Sequence, residues 1–169
     1  MSKILVSELS GTALDYAVAL AEGYVQQTAK NGLPFLAYPS RRFLAGKGDD
    51  PLSGLTPAEH VNFYVPAYST GPAGDDIIDR EGISVIRCDD DYGKDAQGYC
   101  NNVRIPVWAA TTGRHGSADI YGSQGDCYGL AYTLDVSDVI YGGTRREAAM
   151  RCYVASNLGA EVEIPKELA

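Results

Sequence analysis

One stretch of the chain carries the marks of a helix at both of its ends, residues 144–159 in the sequence TRREAAMRCYVASNLG. Thr144 and Glu147 form T-x-x-E, the capping box. In this motif the threonine oxygen accepts a hydrogen bond from the amide three residues on, and the glutamate reaches back to the cap amide. Gly159 suits the left-handed conformation that often ends a helix. The pattern predicts a helix over about 145–158, and the rest of the chain must be arranged around it.

A second helix is predicted near the start of the chain, over about 12–22, after a short extended segment. Its apolar residues have the i, i+3, i+4, i+7 spacing of one helix face: Leu14, Ala17, Val18 and Ala21. We expect Thr12 to cap this helix with Asp15 reaching back, and Gly23 to end it. The apolar face should therefore pack into the core.

Between the two helices the composition changes from that of loops to that of strands. Residues 31–76 are rich in Pro, Gly, Ser and Asp, so this region is predicted to be irregular, with at most a short helix at 57–61. Segments rich in β-branched and aromatic residues follow and are predicted to be strands: about 82–88, 103–111 and 127–135. Pro106 would confine the second of these to a sheet edge or a bulge.

This order of elements predicts the fold class. It favours one α+β domain over residues 1–169, in which a small antiparallel sheet packs with an N-terminal and a C-terminal helix. A long loop-rich region follows the first helix. A chain of 169 residues with 45% apolar residues is long enough to form its own core.

Charge and apolar patterning exclude several classes of function. The net charge of −8 argues against general binding of nucleic acid, because such proteins usually present a basic face. No apolar run is long enough to cross a membrane, and the first residues do not resemble a signal peptide. We therefore expect a protein of the cytoplasm that does not bind membranes.

The cysteines and histidines do not suggest a metal site. The four cysteines are Cys88, Cys100, Cys127 and Cys152. They form no C-x-x-C pair, and the two histidines, His60 and His115, are not close to them in sequence. The spacing favours reduced thiols packed as small hydrophobic groups, with no metal and no other cofactor.

The predicted C-terminal helix begins with an electrostatic conflict. Arg145 and Arg146 lie in its first turn, where the helix dipole makes a positive charge unfavourable by about 0.3–1 kcal/mol. One interpretation is that both are surface charges paired with nearby acids such as Asp135, Asp138 or Glu147.

The other interpretation is an anion cradle at the helix start. Gly142 and Gly143 would let a ligand approach the backbone, Thr144 and the first amides would face it, and the two guanidinium groups would bind its negative charge. A phosphate-bearing ligand would fit this arrangement.

Aromatic residues are a second sign of a nucleotide-like ligand. The chain has twelve tyrosines against three phenylalanines and one tryptophan. Tyr121 and Tyr128 could stack on a base, while Arg104 and Arg114 could bind phosphates. The alternative is that the tyrosines cover half-buried faces of the sheet, where aromatic residues are common.

Three blocks of sequence carry a family resemblance. They are S-E-L-S-G-x-A-L-D-Y-A-V-A at 7–19, D-I-I-D-R-E-G-I at 76–83, and G-x-T-x-x-x-A-A-M-R-C-Y-V-A-S-x-L-G at 142–159, followed by EVEIPKEL. In this order they resemble the phage NinX protein family, small proteins of tailed phages and prophages with a domain of unknown function. Residues 24–70 and 92–140 have no match. The resemblance implies a phage accessory protein and brings no established chemistry.

The arginine pair departs from that family pattern, in which the two positions after the matched threonine are usually uncharged. Arg80 and Arg151 do match it. The pair is therefore expected to serve this protein or its near relatives rather than the family as a whole.

Together these observations favour a non-catalytic binder of a small anionic, nucleotide-like ligand. For a phage accessory protein, that ligand could be a cyclic or other signalling nucleotide of host immunity. A homo-oligomer is expected, with the small-residue face of the helix 145–158 as a contact. Two alternatives remain open: an inhibitor that binds a host protein directly, and a hydrolase of a nucleotide signal. The hydrolase would need a nucleophile, base or metal set that the sequence does not reveal.

Overall fold

The structure is a computed structural model and describes residues 1–29, 32–37, 54–90, 105–112, 120–123, 131–134 and 140–169. Its helices are α1 (Gly11–Ala21), α2 (Pro57–Tyr64), α3 (Pro72–Glu81) and α4 (Arg145–Leu158). Its strands are β1 (Ser2–Leu5), β2 (Val25–Thr28), β3 (Pro34–Ala37), β4 (Ile83–Asp90), β5 (Ile105–Thr112), β6 (Ile120–Ser123), β7 (Ala131–Leu134), β8 (Ile140–Gly142) and β9 (Glu161–Ile164). Short 3-10 turns occupy Val6–Glu8 and Lys166–Leu168.

The strand pairs in the described residues are antiparallel, so the predicted α+β class is confirmed. Strands β4, β5 and β8 form a three-stranded sheet in the order β4-β5-β8. Three two-stranded sheets accompany it, β1-β9, β2-β3 and β6-β7. The pair β1-β9 joins the two ends of the chain, with Ser2 opposite Ile164.

The core lies between α4, α1 and the three-stranded sheet. Helix α4 packs on all three strands of that sheet and against α1 and α3. The buried core residues of α4 are Ala148, Ala149, Met150, Cys152, Tyr153 and Val154. Those of α1 are Leu14, Tyr16, Ala17, Val18 and Ala19. Burial of each large apolar side chain stabilises the fold by about 1.5–3 kcal/mol. The face of α4 that we expected at a subunit contact is thus used inside the chain, and that expectation was wrong.

Helix α4 has the predicted bounds, but its capping differs in detail. The Thr144 hydroxyl accepts from the Glu147 amide at 3.1 Å, as the motif predicts. The Glu147 carboxylate, however, accepts from the amide of Gly143 at 2.9 Å. Gly159 has φ 95° and ψ −177°, a positive φ but not the predicted αL conformation.

Helix α1 starts earlier than predicted, because Ser10 is its N-cap residue. The Thr12 hydroxyl instead donates to Asn62 Oδ1 of α2 at 3.2 Å. Asp15, expected to reach back to the cap, is buried and accepts from the Ser69 amide at 2.6 Å. Both polar residues therefore join α1 to distant parts of the chain.

The predicted irregular region, 31–76, holds more regular structure than expected. The short helix was confirmed and runs on to Tyr64, whereas β3 and α3, which begins in this region, were missed. The prolines misled the prediction, since Pro57 and Pro72 each lie in the first turn of a helix, where no amide partner is lost. Residues 38–53 lie outside the described part.

The first two predicted strands are confirmed as β4 and β5, and β7 falls within the third predicted segment. Strand β5 lies in the centre of its sheet, so the prediction of an edge strand was wrong. Pro106 is opposite Asp89 of β4, while β8 pairs only with Trp108 to Ala110. Pro106 lacks an amide hydrogen, and this is tolerated because β8 does not extend beside Pro106.

A polar cluster joins α1, α3 and α4 near the C-terminal ends of the first two. Arg80 of α3 forms a two-pronged ion pair with Glu22, and the Tyr153 hydroxyl of α4 also donates to Glu22. Burial raises the pKa of Tyr153, and the neighbouring Glu22 raises it further. A cation at the C-terminal end of a helix is also favourable to the helix dipole. Arg80 therefore has a clear structural role.

Candidate anion-binding site

The two arginines at the start of α4 share one carboxylate, that of Asp75 in the first turn of α3. Arg146 binds it with two nitrogens, Nη2 to Oδ2 at 2.7 Å and Nε to Oδ1 at 3.2 Å. Arg145 Nη1 donates to Oδ1 at 3.2 Å. The structure therefore supplies from another helix the negative charge that the first turn of α4 needs.

This pairing corrects the partners expected from the sequence. Of the three acids considered, Glu147 pairs with Arg151 at 2.7 Å, and Asp135 and Asp138 lie outside the described residues. Asp75 was missed because it lies in a region predicted to be irregular. The signal available was an acid soon after Pro72, which is where the first turn of a helix favours negative charge.

The cluster is charged and open to solvent. The side chains of Arg145, Arg146 and Asp75 are 47%, 37% and 34% exposed. Among the described residues, two guanidinium groups against one carboxylate leave a surplus of one positive charge, on a chain whose net charge is −8. The hydrogen bond from Arg146 holds the pKa of Asp75 below its usual value, and both arginine charges act in the same direction. The carboxylate is therefore ionised at neutral pH.

The loop before α3 fixes the position of Arg146. Its Nη1 donates to the Thr70 carbonyl at 2.6 Å. The same loop is tied to α1 by the bond from the Ser69 amide to Asp15, whose pKa is raised by burial and lowered in part by the hydrogen bonds it accepts. Gly74 lets α3 approach this loop, because a Cβ there would lie 2.1 Å from the Tyr68 carbonyl oxygen. Arg146 is thus held by a loop that is itself bonded to α1 and packed against α3.

The glycine pair does not form the predicted cradle. A Cβ on Gly142 would lie 2.4 Å from the Ala148 amide nitrogen, so this glycine permits close packing of β8 against α4. The Gly143 amide is already bound by the Glu147 carboxylate, and the Thr144 hydroxyl by the Glu147 amide. These three residues build the start of α4, and the arginine side chains are the groups that face outward.

The other predicted site residues are Arg104, Arg114, Tyr121 and Tyr128. Three of them, Arg104, Arg114 and Tyr128, lie outside the described residues. Tyr121 lies in β6, where it is opposite Thr133 of β7. The predicted stacking of a base on tyrosines therefore stays a prediction.

Arg151, which matches the family pattern, has a structural role like that of Arg80. Its Nε donates to the Leu9 carbonyl and its Nη1 to the Tyr141 carbonyl, each at 2.8 Å. With the ion pair to Glu147, these bonds join α4 to β8 and to the segment before α1. The side chain is only 13% exposed, as expected for a residue that links elements within the fold.

No protein-family model matches the chain, and no curated protein matches it at a significant level. Membership of the NinX family therefore stays a prediction that rests on the three sequence blocks.

Among the described residues, no helix combines the length and the apolar character needed to span a bilayer. Among the same residues, no group of three or more His, Cys, Asp or Glu side chains is placed to hold a metal ion.

Proposed function

We propose that this protein captures a small anionic, nucleotide-like ligand at Arg145 and Arg146 without transforming it. The observation that supports the proposal is the sharing of one carboxylate by two half-exposed guanidinium groups. The shared carboxylate leaves positive charge unbalanced at one place on an acidic surface. Guanidinium groups bind phosphate oxygens through paired, charge-assisted hydrogen bonds.

The donors of Arg145 favour a ligand from solution. Its Nη1 is engaged by Asp75, and within the described residues no acceptor is recorded for its Nε or Nη2. A phosphate could bind these nitrogens without disturbing α4, whose first turn is held by Thr144 and Glu147. The ligand site is thus built on side chains, above a helix start that is already complete.

The biological role rests on the family resemblance. A phage accessory protein that sequesters a nucleotide would withdraw a host immune signal during infection, in the host cytoplasm. Several sites per particle would increase its capacity, so we propose a homo-oligomer that uses a surface other than the buried face of α4.

Calorimetric titration with a panel of cyclic and linear nucleotides tests this proposal, with Arg145→Gln as the key variant. Among the described residues Arg145 makes one hydrogen bond, to Asp75, so its loss should leave the fold intact. We expect affinity to fall about tenfold or more, because a hydrogen bond to a charged group contributes about 1.5–3 kcal/mol. Lys3→Gln is the matched control, since Lys3 is an exposed cation on β1.

Equal affinity of Arg145→Gln and the parent protein would remove this site from consideration. Native mass spectrometry of the protein purified from a host lysate adds an unbiased measurement. A released nucleotide of unchanged mass would identify the ligand and give the subunit count. A co-purified host protein in its place would favour direct inhibition instead.

A further inference from the structure

The proposed site contains a competitor for its own ligand, the carboxylate of Asp75. Arg146 has all three of its nitrogens engaged, two by Asp75 and one by the Thr70 carbonyl. Asp75 thus occupies the Nε–Nη2 edge of Arg146, and a ligand that leaves Asp75 in place can use this edge only on Arg145. A ligand that binds both guanidinium groups through their Nε–Nη2 edges must displace the carboxylate.

Displacement of Asp75 depends on the charge that replaces it. The carboxylate belongs to the same chain, so its effective concentration at the arginines is high, as for any tethered group. A phosphodiester, such as a cyclic mononucleotide, carries one negative charge, as the carboxylate does, and gains nothing by the exchange. A phosphomonoester carries about −1.5 to −2 charges at pH 7 and presents three acceptor oxygens. It can attract both guanidinium groups more strongly than Asp75 does.

From this we infer that the site selects terminal phosphates, that is, nucleotides with a phosphomonoester, over cyclic phosphodiesters. The inference rests on the proposed function and narrows its ligand class. It also assigns Asp75 a role as an internal competitor, which lowers the affinity of any anion that must displace it from the arginines.

The test compares adenosine monophosphate with cyclic adenosine monophosphate by calorimetric titration. The two probes share base and sugar and differ in the phosphate. At pH 7 we expect the monoester to bind about tenfold tighter or more, because its second charge acts on both guanidinium groups. Between pH 7 and pH 5 the affinity of the monoester should fall about tenfold, since its second pKa is about 6. That of the cyclic diester should stay constant, because both the diester and Asp75 remain ionised.

Asp75→Asn tests the competition directly. Removal of the competing charge should raise the affinity for both probes several-fold, and that for the monoester at least as much as that for the cyclic diester, because the monoester must displace Asp75 and carries the larger charge. Asp79→Asn is the matched control, an exposed acid one turn further along α3. Circular dichroism would show whether each variant is folded. If Asp75→Asn is not folded, the pH series on the parent protein still tests the preference for the monoester.

Each outcome has a distinct meaning. Equal or tighter binding of the cyclic probe, lost in Arg145→Gln, would overturn the selectivity and leave the proposed function standing. No binding of either probe would count against both. Unchanged affinities for both probes in folded Asp75→Asn would show that Asp75 does not compete, and would overturn the role assigned to it.

Discussion

At the scale of single residues, Asp75 shows how tertiary structure can reverse a local electrostatic argument. Considered alone, two arginines in the first turn of a helix are unfavourable. The carboxylate that offsets them comes from the first turn of α3, where an acid is favourable for the same reason. Two helix starts thus share one ion cluster, and the positive charge that remains is the basis of the proposed site.

His60 is a residue whose burial should affect stability. It is 3% exposed, lies 5.1 Å from Tyr64 in a stacked arrangement and 5.7 Å from Phe35 edge to face, measured between ring centroids. Its Nδ1 is buried and has no recorded hydrogen-bond partner in the described part of the chain. Burial lowers the pKa of this imidazole, because the charged form would lose its hydration.

We therefore predict that His60 makes the protein less stable in mild acid. Below about pH 6.5 the unfolded histidine takes up a proton that the folded one does not, so the free energy of unfolding falls as pH decreases, by up to about 1.4 kcal/mol per pH unit. His60→Phe should flatten this dependence. Chemical denaturation from pH 7.5 to 5 measures it, with His115→Gln as the control for the other histidine. If the free energy of unfolding of His60→Phe fell with pH as steeply as that of the parent protein, the pH dependence could not be assigned to His60.

At the scale of elements, the junction of β8 and α4 depends on close contact between backbones. Gly142 ends β8 opposite Trp108, and its Cα faces the first turn of α4. A side chain at Gly142 would meet backbone atoms of Ala148 at 2.4 and 2.8 Å, and these cannot move aside without shifting the helix. A side chain at Gly143 would meet only the end of the flexible Glu147 side chain, at 3.2 Å.

The two glycines therefore predict a matched pair of variants. Gly142→Ala should lower the free energy of unfolding by about 1–3 kcal/mol or more, the usual cost of overpacking a well-packed site. Gly143→Ala should change it by less than about 0.5 kcal/mol, as for an ordinary surface position. Urea denaturation of both proteins gives the comparison. Similar losses in the two variants would mean that packing at Gly142 is looser than the structure shows.

The elements that could be predicted from sequence were those with local marks. Helix α4 has a cap at Thr144 and a glycine at 159, and its bounds were predicted correctly. Helix α3 was missed because its signals, Pro72 and Asp75, were interpreted as loop composition. The pairing of Asp75 with the arginines could not be predicted, since it depends on how α3 lies beside α4. The arginines of the site were identified from sequence, but the acid that balances them was not.

At the scale of the whole molecule, the sheet β1-β9 ties the beginning of the described fold to its end. Val162 and Ile164 of β9 are 6% and 0% exposed and belong to the same core as α1 and α4. Together they stabilise the fold by about 3–6 kcal/mol. The total stability of a typical domain is only about 5–15 kcal/mol.

A chain that stops at Ala160 should therefore be close to unfolded at ambient temperature. Its loss of β9 also leaves the amides of β1 without their partners. Thermal denaturation followed by circular dichroism would show a broad or absent transition. Ile164→Val in the full chain is the control, with an expected cost of about 0.5–1.5 kcal/mol. A cooperative transition near that of the full chain would show that the end strand is dispensable.

The pairing of β1 with β9 also orders events in time. Strand β1 is synthesised before β9, and residues 6–160 lie between the two strands, so β1 must wait for its partner while that stretch of chain is made. During that interval its edge can pair with other chains, a hazard that β1 limits by its length of four residues and by the charge of Lys3. The core is complete only when residues 161–164 have been synthesised, so a ribosome that stalls before them leaves a protein that lacks β9.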